Sequence, residues 1–344
     1  MKHAARLFLS VSLGSAPAWA EVEPRSLGFG DQTKEYQLVG IPGARCGDGS
    51  PYGVYVKPGR ADKVLFHLEG GGACWSRGTC VFPQITKLKV GGVIGALDGR
   101  LAGNPFLDHT YVYFPYCTGD LYYGRHVASY GTRHEGRLNV GLALAELERS
   151  GTVKLSRVDD VVVFGESAGA LGVLGNLDQM HAATPRARYR TALVDSPGLH
   201  FADDIWSNFD APYVEDIRYA LARNHVQLDV NSGLVGHQMG AFCGGRPEWK
   251  IGFAQGARDI VMSRVFGGLS TSEHRKLVYG PKGIFRATEN PDDNCAAWVP
   301  DSILHVYAPW VHGWHYRTRD GVSNGEFNRA VYESARGAPL PNHR

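Results

Sequence analysis

The chain has 344 residues, with 36 Lys and Arg against 34 Asp and Glu and a formal net charge of +2. Setting Lys2 and Arg6 aside with a leader brings that balance to about zero, and no block of one sign follows. A basic face for nucleic acid or anionic lipid is therefore excluded, and no later stretch approaches the ~20 apolar residues of a membrane span.

The chain opens with Lys2, His3 and Arg6, an apolar stretch from Leu7 to Leu13, and the small residues Ala18-Trp19-Ala20. This pattern predicts a signal peptide over residues 1–20, cleaved after Ala20. The mature protein, residues 21–344, is then expected in the periplasm or fully secreted. Its six cysteines, an even number in an exported chain, argue for three disulfides. Cys74 with Cys80, Cys243 with Cys295 and Cys46 with Cys117 are the expected pairs among the roughly fifteen possible. Zinc-type spacing is absent, so no metal is expected.

Short β-branched runs alternate with helical stretches, the pattern of a mostly parallel sheet with helices on both faces, an α/β fold. Strands are predicted at Tyr36–Val39, Gly53–Val56, Lys63–Leu68, Thr110–Phe114, Asp160–Phe164, Thr191–Asp195, Trp249–Ala254 and Ile303–Ala308. The first two alternate and suit an antiparallel hairpin at one edge. Helices are predicted at Glu135–Arg149, Ala168–Met180, Val214–Ala222, Ala257–Phe266 and Glu326–Ala335. In the first of these, Leu138, Leu142, Ala145 and Leu147 are expected near one face. Residues 201–247 are weakly periodic and are expected to form a cap or insertion on a single domain.

The densest chemical signal is Gly165-Glu166-Ser167-Ala168-Gly169, which follows a buried strand and opens a small-residue helix. A serine on that strand-to-helix turn presents its hydroxyl above the sheet as a nucleophile. The N–H of Ala168 then faces the position of a developing oxyanion. The run Glu69-Gly70-Gly71-Gly72 at a strand end is a candidate source of the second N–H donor, with glycines that let backbone N–H groups face the carbonyl oxygen. Asp259, after the penultimate predicted strand, is the expected acid, with Asp195 as runner-up. His312, in the loop after the last predicted strand, is the expected base, and His315 competes with it. His305 falls inside that strand and is expected to pack there.

These residues resemble the pectin acetylesterase and Notum family of serine carboxylesterases, in an exported bacterial-type form. The chain's Cys46-Gly47-Asp48-Gly49-Ser50-Pro51-Tyr52-Gly53-Val54-Tyr55 is similar to the family's C-x-D-G-S-P-x-G-x-Y segment. Leu68–Cys74 looks like its oxyanion loop, and Pro115-Tyr116-Cys117-Thr118-Gly119-Asp120 resembles its P-Y-C-x-x-D segment. The resemblance implies an α/β-hydrolase fold, a triad of Ser167, Asp259 and His312, and oxyanion donors at Gly71, Gly72 and Ala168. It also implies ester hydrolysis through an acyl-enzyme, with no cofactor. Ala73 departs from the family's usual tryptophan, which reshapes the acyl pocket; Trp75 and Trp310 are the other expected substrate contacts.

The expected partner is an ester substrate, acylated carbohydrate among the candidates, handled in acetylesterase fashion. The competing readings are a lipase- or polyester-depolymerase-like enzyme of longer acyl chains and an inactive hydrolase-fold binding protein. Retention of serine, aspartate and histidine together argues against the last.

Overall fold

A computed structural model describes residues 36–81, 103–289 and 294–341. The expected signal peptide, residues 1–20, lies outside the described residues. Among the described residues no helix is long and apolar enough to cross a membrane.

Ten strands are described: β1 (Gln37–Arg45), β2 (Pro51–Lys57), β3 (Arg60–Leu68), β4 (His109–Phe114), β5 (His126–Val127), β6 (Arg133–His134), β7 (Asp160–Glu166), β8 (Tyr189–Asp195), β9 (Lys250–Ala254) and β10 (Cys295–Trp298). Eight of them form one sheet in the order β1-β2-β4-β3-β7-β8-β9-β10, while β5 and β6 form a separate ribbon. As their alternation predicts, β1 and β2 pair antiparallel at the edge. From β4 through β10 the main sheet is parallel.

Both faces are covered, so neighbouring positions on a strand enter different cores. Phe66 and Val163 pack on one face, Leu65 and Val162 on the other. Near-continuous apolar runs such as Val161–Phe164 are what two-sided burial requires. The first core is closed by α1 (Gly136–Ser150) and α2 (Ala168–Ala183). Across the sheet, Phe327 and Val331 of the C-terminal helix (Asn324–Ser334) close the second. In α1 the buried apolar side chains are Val140, Ala143, Leu144 and Leu147, whereas Leu138 and Leu142 are exposed. The expected face is thus corrected by rotation about the helix axis, because α1 rests on β1 with Asn139 turned inward to bond both the N–H and the carbonyl of Arg45.

The larger correction concerns the last strand. Ile303–Ala308 is not in the sheet; the final strand is Cys295–Trp298, only four residues long and parallel to β9. Ile303 and Leu304 are exposed, as loop residues can be. The run Ser302–Ala308 mimics a strand in composition but lies beyond the edge that Cys295–Trp298 already fills. The helix expected over Ala257–Phe266 is likewise reduced to a π-helical turn at Val261–Val265.

The three expected disulfides, Cys46–Cys117, Cys74–Cys80 and Cys243–Cys295, are all formed. Between β8 and β9 the chain leaves the sheet and forms α3 (Ala211–Ala222) and α4 (Met239–Gly244). This excursion is pinned by His200, whose Nδ1–H donates to the Gly198 carbonyl while Nε2 accepts the Ile284 N–H. The neutral ring satisfies both bonds; a protonated ring would lose the second. Burial, reinforced by nearby His274, pulls the His200 pKa down to about 3.

An unfolded histidine titrates near 6.5, so the folded state binds fewer protons below that pH. The His200 contribution is complete above pH ~6.5 and is lost as pH falls, by up to about 1.4 kcal/mol per unit. Glu69 and Asp195, raised to about 7 and about 6, act in the opposite sense over part of that window. His200→Gln is therefore expected to flatten the loss of stability between pH 6.5 and 4.5 relative to the native chain. Urea midpoints across that range check this, and parallel curves for the two proteins contradict it.

Candidate active site

The sheet brings three strand ends side by side. Leu68 pairs with Gly165 across β3 and β7, and Glu166 pairs with Asp195 across β7 and β8. Strand order reverses here, with β4 lying outside β3 on one side and β8 outside β7 on the other, so the loops that follow β3 and β7 part and leave a crevice, the usual ligand position in parallel sheets. The glycine loop after β3 and the serine turn after β7 flank that crevice.

Ser167 occupies φ 54°, ψ −120°, outside the regions an L-residue ordinarily adopts. Its N–H donates to the Asp195 carbonyl at 2.8 Å, which holds the turn. Strain of this kind persists only where the surroundings over-determine it. The turn also needs small neighbours, because a Cβ at Gly169 would overlap the Leu68 carbonyl and one at Gly165 would overlap Gly169. Gly169→Ala is expected to cost about 1–3 kcal/mol through overpacking. A thermal melt checks it, and an unshifted midpoint would show that the helix has room to move.

Glu166 ties this turn to the glycine loop. Its Oε1 accepts the Gly70 N–H at 2.9 Å and its Oε2 bonds His67 Nε2 at 2.7 Å. Glu69 secures the loop from the other side, accepting the Tyr116 N–H at 2.9 Å. Burial pushes the Glu69 pKa up to about 7, against the pull of its bonds from Tyr113 and Tyr116. With Gly70 so engaged, the N–H groups of Gly71 and Gly72 donate to no acceptor among the described residues. Gly72 has φ +81°, a left-handed conformation that suits glycine. Ala168, the first residue of α2, adds the third expected donor at a helix N-terminus.

The acid and the histidine come from two loops that run side by side. Gln255, Ala257, Arg258 and Ile260 donate their N–H groups to the carbonyls of Trp298, Pro300, Ser302 and Ile303. That zipper brings Asp259 Oδ2 to 2.8 Å from His305 Nδ1. Asp259 is fully buried and is also bonded by the N–H groups of Val261 and Met262 and by the Gln255 amide. A carboxylate only accepts, so His305 carries its proton on Nδ1 and presents a lone pair on Nε2. That Nε2 is buried and has no partner among the described residues. It is the polarity a general base requires.

His312 is therefore corrected as the partner of Asp259. It sits exposed in a single helical turn, Val311–Trp314, and His315 is exposed just beyond. The slip follows from the strand error, since a histidine counted from a strand ending at Ala308 falls seven residues too late. Among the described residues Asp195, the runner-up acid, bonds no histidine; its carboxylate accepts the N–H groups of Tyr307 and Ala308 at 2.8 and 2.7 Å.

Beside Ser167 opens an apolar cavity of about 70 Å³. Gly72, Ala73, Trp75 and Ala168 form the wall near the serine. Phe201, Trp206, Phe209, Ile217 and Leu221 from the excursion after β8 form the far wall, with Met262 and Phe266 closing it. Trp75 and Phe209 pack with ring centroids 5.1 Å apart. The third expected substrate contact, Trp310, is not in this lining and stands 58% exposed. Among the described residues the only compact group with metal-ligand geometry is Cys74, Cys80 and His134, and its sulfurs are consumed in a disulfide.

Comparison with known proteins adds the family. The pectinacetylesterase family pattern matches residues 34–205, half of the chain, including the glycine loop and the serine turn. The chain belongs to the pectinacetylesterase family. It is 30% identical over 164 residues to the palmitoleoyl-protein carboxylesterase NOTUM of Schmidtea mediterranea, covering 42% of this chain and 30% of that protein. It is 29% identical over 155 residues to pectin acetylesterase 11 of Arabidopsis thaliana, covering 42% of this chain and 40% of the relative. The chain thus spans less than half the length of these curated relatives. The solved structure of the Wnt deacylase Notum from Drosophila superposes with a TM-score of 0.64 at 21% identity, covering 90% of this chain and 95% of that one. That likeness establishes an α/β-hydrolase fold. The family match stops at residue 205, so Asp259, His305 and most of the cavity's far wall lie beyond it.

Proposed function

We propose that the protein is an exported serine carboxylesterase, with Ser167 as nucleophile, His305 as base and Asp259 as the acid that orients it. The observation that carries this reading is the Asp259–His305 hydrogen bond, with His305 Nε2 left as a buried acceptor. Nε2 takes the Ser167 proton as Oγ adds to the ester carbonyl. The oxyanion is held by the N–H groups of Gly71, Gly72 and Ala168. Collapse returns the proton to the departing alcohol and leaves an acyl-serine. Water then adds to the acyl carbonyl with Nε2 again as base, and Ser167 leaves with the proton. Three disulfides support folding in an oxidising compartment, periplasmic or extracellular.

The cavity supports a reading of the acyl group as longer than acetyl. A water-sized group needs ~10–15 Å³, so the space admits roughly five such groups. Alanine at 73 contributes to that room. The segment 201–247 acts as the cap, and the proposed substrates are butyryl to octanoyl esters, sugar-borne acyl esters included.

Fluorophosphonate is expected to label the oxidised protein at one serine, and Ser167→Ala is expected to abolish labelling. A panel of p-nitrophenyl esters from acetate to palmitate is expected to peak at about four to eight carbons, in keeping with the room the cavity volume offers. No labelling of the intact protein sinks the enzyme reading. A peak at acetate would return the substrate to the acetylesterase class, and one at palmitate would favour a lipase-like enzyme.

A further inference from the structure

Asp195 and Ser196, at the end of β8, link the backbone of Ser167 to the loop that follows His305 and hydrogen-bond neither of those two side chains among the described residues. Three consecutive N–H groups of the histidine loop converge on them. Val306 donates to Ser196 Oγ at 3.1 Å, and Tyr307 and Ala308 donate to Asp195 Oδ2 at 2.8 and 2.7 Å. The Ser196 hydroxyl in turn donates to Asp195 Oδ1 at 2.9 Å, so both carboxylate oxygens are engaged. The backbone carbonyl of the same Asp195 accepts the Ser167 N–H. Ser196 is anchored by its own N–H, which donates to the Ala254 carbonyl at the end of β9.

This arrangement explains an otherwise costly conformation. Val306 has φ 62°, and a β-branched residue in the left-handed region is a genuine outlier. Such a residue stays there only when its surroundings hold it. Here the holding groups are the Ser196 hydroxyl on Val306 itself and the Asp195 carboxylate on the next two residues. His305 is the residue immediately before this clamp.

We infer that Asp195 and Ser196 are positioning residues that hold the His305 loop in register with Ser167, one residue of the pair serving both partners through separate atoms. This rests on the functional reading above. Ordered this way, the end of β8 sets the distance between nucleophile and base, while Asp259 sets the orientation of the ring. Loss of the clamp lets Val306 relax to negative φ and carries His305 away from Ser167. A displacement of about 1 Å in such a pair costs on the order of 10²-fold in turnover.

The test measures kcat and KM on p-nitrophenyl butyrate for Asp195→Asn, Asp195→Ala and Ser196→Ala, with kcat expressed per fluorophosphonate-labelled site at completion. Asp195→Ala is expected to lose about 10²-fold in kcat with KM within about threefold, because the acyl cavity does not include the clamp. Asp195→Asn keeps one acceptor oxygen and is expected to lose about tenfold, and Ser196→Ala less than that. If Asp195→Ala does not fold, the other two variants carry the test. Native kcat per labelled site in Asp195→Asn and Ser196→Ala overturns the inference, whatever their melting temperatures. A rise in KM at unchanged kcat overturns it too. Failure of the native protein to label at all defeats the functional reading instead, so the two failures are distinguishable.

Discussion

Replacing His305 with alanine is expected to lower kcat by ~10⁴–10⁶-fold, the range seen when the base of a serine triad is removed. His312→Ala is expected to change it less than threefold. The contrast follows from hydrogen bonding. His305 has one nitrogen 2.8 Å from a buried carboxylate and the other buried without a partner among the described residues. His312 has an exposed ring on a single helical turn. Both variants should retain the native melt within a few degrees, since His305 makes one side-chain hydrogen bond and His312 makes none among the described residues. Steady-state kinetics of the two proteins side by side check it. A collapse of activity in His312→Ala with a near-native His305→Ala would restore the sequence-based assignment.

Asp259→Asn is expected to cost ~10⁴-fold in kcat with little change in KM. The reason is a tautomer. As a carboxylate, Asp259 can only accept, which keeps the His305 proton on Nδ1 and frees Nε2 for Ser167. An asparagine that turns its amide toward His305 donates instead, driving the proton to Nε2 and removing the base while the loop geometry stays in place. Its carbonyl oxygen then remains available to the N–H groups of Val261 and Met262, both of which now bond Oδ1. Fluorophosphonate labelling should slow in parallel with turnover. If Asp259→Asn retained near-native kcat while Asp195→Asn lost as much as a triad member, the acid would be Asp195 and the present assignment would fall.

Much of this architecture is legible in the sequence because it depends on local rules. Val161–Phe164 must be buried on both faces, and Gly165 and Gly169 must be glycine where the helix meets β3. Those two requirements make the serine turn recognisable without coordinates. Cysteine parity pointed to three disulfides and alternation to the edge hairpin of β1 and β2; parity leaves the pairing itself open, and the fold brings the three pairs together.

The base was different. Ser302–Ala308 has the composition of a strand, and nothing local distinguishes it from one. What decides the matter is that Cys295–Trp298 already pairs with β9, leaving the later run to fold back over the Asp259 loop. A four-residue strand of Cys, Ala, Ala and Trp carries almost no periodic signal, so counting strand ends from sequence overshot the loop whose histidine meets Asp259.

The sequence by itself determined the family, the strained serine turn at Ser167 and the glycine loop after β3, and it singled out the loop that carries Asp259, because each is a short segment whose backbone geometry demands particular residues. Tertiary structure alone decided which histidine meets Asp259, which wall the segment after β8 gives the cavity, and that Asp195 serves as a clamp. The Asp259–His305 and Asp195–Tyr307 contacts join residues 46 and 112 apart along the chain, set by sheet order and by which carbonyls the crossing loops can reach. Local pattern carries no record of either.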